Sequence, residues 1–216
     1  MSVDKFKAFN PIDLPVKPNT GYTIGLFGAS KQGKSNAIIW LWKKYFNNYI
    51  TILCSPNYQQ SVYKPFKSKA IITPNYNTAE QLIMLALEIQ QNTLNNYKFL
   101  FILDDVITAK NNKTLSAMIL TLRNSNISSI ISLQGVTLMN THIRASINCV
   151  LCFRFNNAEE SSAVVERYLL GAIEGKTKHD RAVKYMKETE KHHFIIGDMI
   201  NNIFVVTKLP YYLLTN

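Results

Sequence analysis

The chain has 216 residues, 47% of them hydrophobic and 18% charged, with 24 Lys and Arg against 14 Asp and Glu. That length suits one generous domain, and the apolar fraction suffices to bury a core, which excludes wholesale disorder. No apolar run approaches the ~18 residues of a spanning helix, the opening MSVDKFKAFN has no signal-peptide stretch, and three cysteines make no disulfide framework.

The formal net charge of +10 is uneven. Residues 1–70 carry ten Lys against two acids, and 71–105 one Lys against four acids. Residues 106–158 carry five Lys or Arg and no acid, and 159–216 balance at eight each. A cationic excess favours polyanionic partners, nucleic acid first, through phosphate contacts and counterion release.

Residues 1–20, with Pro11, Pro15 and Pro18, read as an extended N-terminal arm, and 21–216 as a single domain with a core over 21–157 and a C-terminal extension over 158–216. YTIGLF (22–27) reads as a strand. Of eight glycines, four (Gly21, Gly25, Gly28, Gly33) fall here within thirteen residues. Gly28-Ala29-Ser30-Lys31-Gln32-Gly33-Lys34-Ser35 matches the phosphate-loop pattern G-x-x-x-x-G-K-[ST] in full. The two outer glycines allow a tight turn that aims backbone N–H groups at phosphate oxygens. Lys34 reaches the β- and γ-phosphates, the Ser35 hydroxyl is a Mg²⁺ ligand, and the helix that follows points its N-terminal dipole at the anion. The loop together with Asn36 is therefore the expected nucleotide site. The strand before and the helix after (SNAIIWLWKKYF, 35–46) supply the context the pattern needs.

YITILC (49–54) is a strand and Ser55–Pro56–Asn57 a turn. A short strand at Ile71–Ile72 follows within a mixed stretch. Residues 78–91 form a helix capped by Thr78, with Leu82, Leu85 and Ile89 at helical spacing. FLFILDD (99–105) is a continuous apolar strand that ends in two acids, at the carboxyl end where ligands bind in open α/β sheets. Asp104 is assigned to Mg²⁺ and Asp105 to the base that polarises the attacking water. The reverse assignment, or Asp105 as a helix-opening acid, is the alternative. About 70 residues between the two motifs leave room for an added strand and helix, the arrangement of the additional-strand ATPases.

Residues 113–125 are a helix, 128–134 a strand, 140–146 a helical turn and 148–155 a strand. Gln134, closing its strand, suits a sensor that orients water, against the plainer reading of a turn glutamine before Gly135. Arg123 and Arg144, ahead of Arg154, are candidates for an arginine finger acting on a neighbouring subunit, against phosphate-contact or structural roles. Cys149 and Cys152 read as core cysteines of one strand, and a metal site at His192 and His193 is disfavoured. Residues 158–170 and 171–191 are helices, and 194–198 with 202–207 form a hairpin across Asn201–Asn202 that extends the sheet at an edge. Strands alternating with helices imply a parallel α/β sheet covered on both faces.

GASKQGKS (28–35), FILDD (101–105), RNSNISSIISLQ (123–134) and HIRASINCVLCFR (142–154), in this order, resemble the genome-packaging ATPases of large DNA viruses, of poxvirus and virophage type, within the FtsK–HerA superfamily. The resemblance spans roughly residues 20–157. It implies a RecA-like sheet, ATP with Mg²⁺, and ATP-driven translocation of double-stranded DNA into a preformed capsid. It also implies a homo-oligomeric ring of five or six subunits, contact with capsid or portal vertex proteins, and a place in the host cytoplasm (viral factory) or virion. The Lys31-Gln32 pair departs from the small residues common there. A helicase loader, a conjugative coupling ATPase or a non-motor nucleotide switch are the competing readings. The acid-free stretch, with Lys110 and Lys113, is where charges facing a DNA channel are expected.

Overall fold

The computed structural model describes residues 7–8, 14, 18, 21–106, 112–137, 139, 141–170 and 178–208. Among the described residues nine strands form one sheet: β1 (Lys7–Ala8), β2 (Thr23–Phe27), β3 (Ile50–Cys54), β4 (Ala70–Thr73), β5 (Phe99–Asp104), β6 (Ile127–Leu133), β7 (Cys149–Phe153), β8 (His193–Asp198) and β9 (Ile203–Lys208). Their order is β1-β9-β8-β7-β2-β6-β5-β3-β4. The six strands from β7 to β4 run parallel, and β8 pairs antiparallel with β7 to begin the closing hairpin. β6 lies between β2, which leads into the phosphate loop, and β5, which carries the acids. This is the additional-strand arrangement. The strand that separates the two motifs in space follows both of them in the chain.

The helices are α1 (Lys34–Tyr45), α2 (Tyr76–Asn92), α3 (Asn112–Asn124), α4 (Thr141–Ser146), α5 (Ala158–Val164) and α6 (Lys178–Glu188). A 3₁₀ turn (Ser61–Phe66) lies between β3 and β4, and a π turn (Val165–Leu169) continues α5. Strands β2, β5, β6 and β7 are buried at every residue because both faces of the sheet are covered. Alternate residues of β5 show the division: Leu100 and Ile102 pack with α1 and the 3₁₀ turn, while Phe99, Phe101 and Leu103 pack beneath α2 and α3. Cys149 and Cys152 likewise enter opposite cores, since side chains three apart on a strand point opposite ways. No helix among the described residues is long and apolar enough to cross a membrane.

Four local expectations shift. Asn75, and not Thr78, caps α2: its side chain accepts the Asn77 N–H at 2.9 Å, directly after Pro74. The expected single helix over 158–170 relaxes into the π turn, which seats Tyr168 flat on Phe27 with ring centroids 5.6 Å apart. The hairpin loop spans residues 199–202, because Asp198 pairs with Ile203 and its carboxylate accepts the Ile200 and Asn201 N–H groups. Two residues of the expected arm form β1, parallel to β9. Most of the rest of that arm, Lys110 and residues 171–177 lie outside the described residues.

Candidate functional site

Parallel strands place all their carboxyl ends on one side, and the loops that follow them enclose a cleft of about 410 Å³ there. β2 runs straight into it. A Cβ on Gly28 would lie 2.5 Å from the Cβ of Phe153, so only glycine lets the loop leave β2 this close to β7. The Ala29 N–H donates to the Arg154 carbonyl at 2.9 Å, which ties the loop to the end of β7. Gly33, at φ +104°, is the N-cap of α1. Ser30, Lys31, Ser35 and Asn36 line the cleft with Lys34, and Gln32 lies in the loop with its buried Oε1 unpaired.

Lys34 is buried, and its ammonium donates to the carbonyls of Gly28 at 2.7 Å and Ala29 at 3.0 Å. Burial lowers its pKa, and Asp105 and Asp104 pull it back up. The lysine is thus held inside its own loop by two backbone carbonyls.

Asp104 ends β5 and is almost fully buried. Its Oδ2 accepts hydrogen bonds from the Ser35 hydroxyl at 3.3 Å and from the Tyr63 hydroxyl. Its Oδ1 has no hydrogen-bond partner. Burial raises the Asp104 pKa, with the neighbouring Ser132 hydroxyl, the Tyr63 hydroxyl and Lys34 opposing. A buried carboxylate oxygen left unpaired beside a serine hydroxyl is a hard-oxygen donor set that fits Mg²⁺. Asp105, one step further, turns into the left-handed region at φ +55°, and its N–H donates to the Ser132 carbonyl at 2.9 Å. That turn brings its carboxylate within 3.4 Å of the Gln134 side-chain amide, which donates to it. Lys34, Ser35, Asp104, Asp105 and Gln134 therefore share one cleft.

The two arginines do not line it. Arg123 lies in the last turn of α3 and is exposed beside Gly21, at the amino ends of the strands; a Cβ on Gly21 would meet its carbonyl oxygen at 2.7 Å. Arg144 is held in its own chain, donating to the Met139 carbonyl at 2.8 Å and the Thr141 hydroxyl at 2.9 Å. Arg154 is exposed just past β7.

Several cleft residues carry no motif. Tyr63, fully buried on the 3₁₀ turn, bridges Asp104 and Ser35, its hydroxyl 3.3 Å from Ser35 Oγ. Burial, followed by the Asp104 charge, pushes its pKa well up, so it remains a proton donor. His192, at φ +66°, enters from the turn before β8, with Nδ1 unpaired. Burial lowers its pKa, and a hydrogen bond to the Gln32 backbone opposes that. Asn57 and Gln60 come from the loop after β3. The only available signal for these was direction: loops after β3 and before the antiparallel β8 must open on this same side.

Among solved structures, the chain is similar to B204, the DNA-packaging ATPase from Sulfolobus turreted icosahedral virus, with TM-score 0.67 and 16% identity over 90% of this chain and 100% of that one. It is also similar to the genome packaging NTPase B204 from Sulfolobus turreted icosahedral virus 2 in complex with AMPPCP (TM-score 0.58, 16% identity, 88% of this chain and 98% of that one). A third is the pCW3 conjugation coupling protein TcpA with ATPγS (TM-score 0.62, 12% identity, 97% of this chain and 71% of that one). At such identities the likeness establishes the fold, that of P-loop ATPases. No curated protein sequence matches. The model of one family, described as poxvirus A32 protein, matches residues 18–208, nearly the whole chain. The chain belongs to the poxvirus A32 protein family.

Proposed function

We propose that the chain is an ATP-hydrolysing motor that moves double-stranded DNA into a preformed viral capsid. It works as a homo-oligomeric ring against capsid or portal vertex proteins, in the viral factory of the host cytoplasm or on the virion. The observation that carries this reading is the convergence of Lys34, Ser35, Asp104, Asp105 and Gln134 on one cleft, in a chain of the poxvirus A32 family. The printed names of the B204 structures, a DNA-packaging ATPase and a genome packaging NTPase, support it.

The triphosphate lies along residues 28–35, where backbone N–H groups and the α1 dipole favour negative charge. Lys34 exchanges the Gly28 and Ala29 carbonyls for the β- and γ-phosphate oxygens. Ser35 and the free Oδ1 of Asp104 would hold Mg²⁺, which when bound offsets charge on the phosphates. Asp105 accepts a hydrogen bond from the attacking water and draws off its proton, and the Gln134 amide fixes the carboxylate in that pose. An arginine of a neighbouring subunit completes the site. Arg144, tied to the loop after β6 at the carboxyl ends, is better placed for this than Arg123 at the amino ends.

A direct test uses long duplex DNA carrying a short triplex-forming strand. A translocating motor strips that strand in an ATP-dependent way, and the Lys34→Ala variant does not. ATP turnover with no stripping by the wild-type chain contradicts the motor.

A further inference from the structure

Besides His192, the C-terminal extension reaches the neighbourhood of the candidate catalytic residues through the side chain of Glu160. Glu160 is the third residue of α5, whose N-cap Asn157 accepts the Glu160 N–H at 2.8 Å. In a capping box a glutamate at this position folds back onto the N-cap backbone. Here the carboxylate turns to the loop after β6. Oε2 accepts the Val136 N–H at 2.7 Å and the Thr137 N–H at 3.3 Å, and Oε1 accepts the Thr137 hydroxyl. Those N–H groups lie two and three residues after Gln134, whose amide donates to Asp105 at 3.4 Å.

Two further observations make this a fixed support. α5 and the π turn are locked into the core by Val164, Val165, Tyr168 and Leu169, with Tyr168 stacked on Phe27 at the mouth of the phosphate loop. The carboxylate also lies flat over Gly135: a Cβ there would meet the Glu160 carboxyl carbon at 2.5 Å. Gly135 has no left-handed backbone, and the three atoms nearest to such a Cβ all belong to the Glu160 carboxylate.

We infer that Glu160 is a positioning residue for hydrolysis: it pins the turn 135–137 and so holds Gln134 against Asp105, which makes the C-terminal extension part of the water-orienting apparatus. This rests on the reading of Gln134 and Asp105 given above. Hydrogen bonds to a charged group are among the stronger ones, and a misaligned catalytic group is costly to rate while leaving ground-state binding alone.

The test compares Glu160→Ala, Glu160→Gln, Gly135→Ala, the Glu160→Ala/Gly135→Ala pair and Gln134→Ala for ATP turnover and for affinity of a fluorescent ATP analogue. Glu160→Ala is expected to lower kcat about 10–100-fold with nucleotide affinity within about twofold, which also reports that the variant is folded. Glu160→Gln, which keeps one acceptor, recovers part of the loss. Gly135→Ala alone lowers kcat because it displaces the carboxylate. Added to Glu160→Ala it costs less than about twofold more, since the group it collides with is gone. Should Glu160→Ala not fold, Glu160→Gln and Gly135→Ala carry the same prediction. Normal turnover in Glu160→Ala, or losses that multiply in the pair, overturn the inference. Gln134→Ala separates the two levels: if it turns over normally the reading of Gln134 falls, and if it is inactive while Glu160→Ala is normal only the role of Glu160 falls.

Discussion

Two hollows of nearly equal size sit at different places on the sheet. The cleft at the carboxyl ends measures about 410 Å³ and the groove between β3, β4 and α2 about 430 Å³. The groove is walled by Ile50, Ile71, Leu85, Tyr97 and other apolar side chains, several of them well exposed. The cleft is walled by Lys34, Ser35, Asp104, Asp105 and Gln134 and contains buried polar atoms without partners. Volume does not tell them apart. The difference is the unmet hydrogen-bonding and charge that one of them carries, because a fold tolerates buried unpaired groups chiefly where a ligand is to meet them.

Substitutions sharpen the contrast. Asp105→Ala should lower turnover about 10²–10⁴-fold while ATP still binds, measured by steady-state hydrolysis beside analogue affinity. Normal hydrolysis by that variant would remove Asp105 from the base role. Lys34→Ala should lower turnover about 10²–10³-fold and weaken nucleotide binding as well. Tyr63→Phe removes one hydrogen bond to Asp104. It should weaken nucleotide binding up to about tenfold in Mg²⁺ and leave binding in EDTA unchanged; an equal loss in both would make Tyr63 a packing residue only. Leu85→Lys, in the groove, should leave nucleotide affinity and DNA-free turnover within about twofold. A larger effect would mean that the two hollows communicate.

Much of this was legible in the chain because the constraints are local. The phosphate loop needs its glycines, lysine and serine side by side, and a buried strand that ends in Asp104 and Asp105 declares its own polar end. The parallel sheet and the closing hairpin followed from continuous apolar strands spaced by helical segments. Tyr63 was not legible, since its meeting with Asp104 depends on how residues 61–66 fold over α1 between two strands. Glu160 was visible only as an acid in the first turn of a helix, a place where acids are common for dipole reasons alone. The end of the sheet at which Arg123 lies follows from direction: a helix after β5 must run back against the strands and finish at their amino ends. The cap at Asn75 lies three residues before the expected Thr78, and the π turn is a local change of backbone hydrogen bonding, neither of which the hydrophobic pattern encodes.

The charge pattern leads to the most direct measurement. The acid-free stretch 106–158 holds Lys110, which lies outside the described residues, and Lys113 in the first turn of α3. Steady-state ATP hydrolysis should be measured with and without long double-stranded DNA across a salt series, for the wild-type chain and for Lys110→Gln/Lys113→Gln. Duplex DNA should strongly stimulate the wild type, with stimulation fading as salt rises, and the double variant should flatten the log–log slope of DNA affinity against salt by about 2. Turnover indifferent to duplex DNA at every salt concentration would contradict a DNA-coupled ATPase.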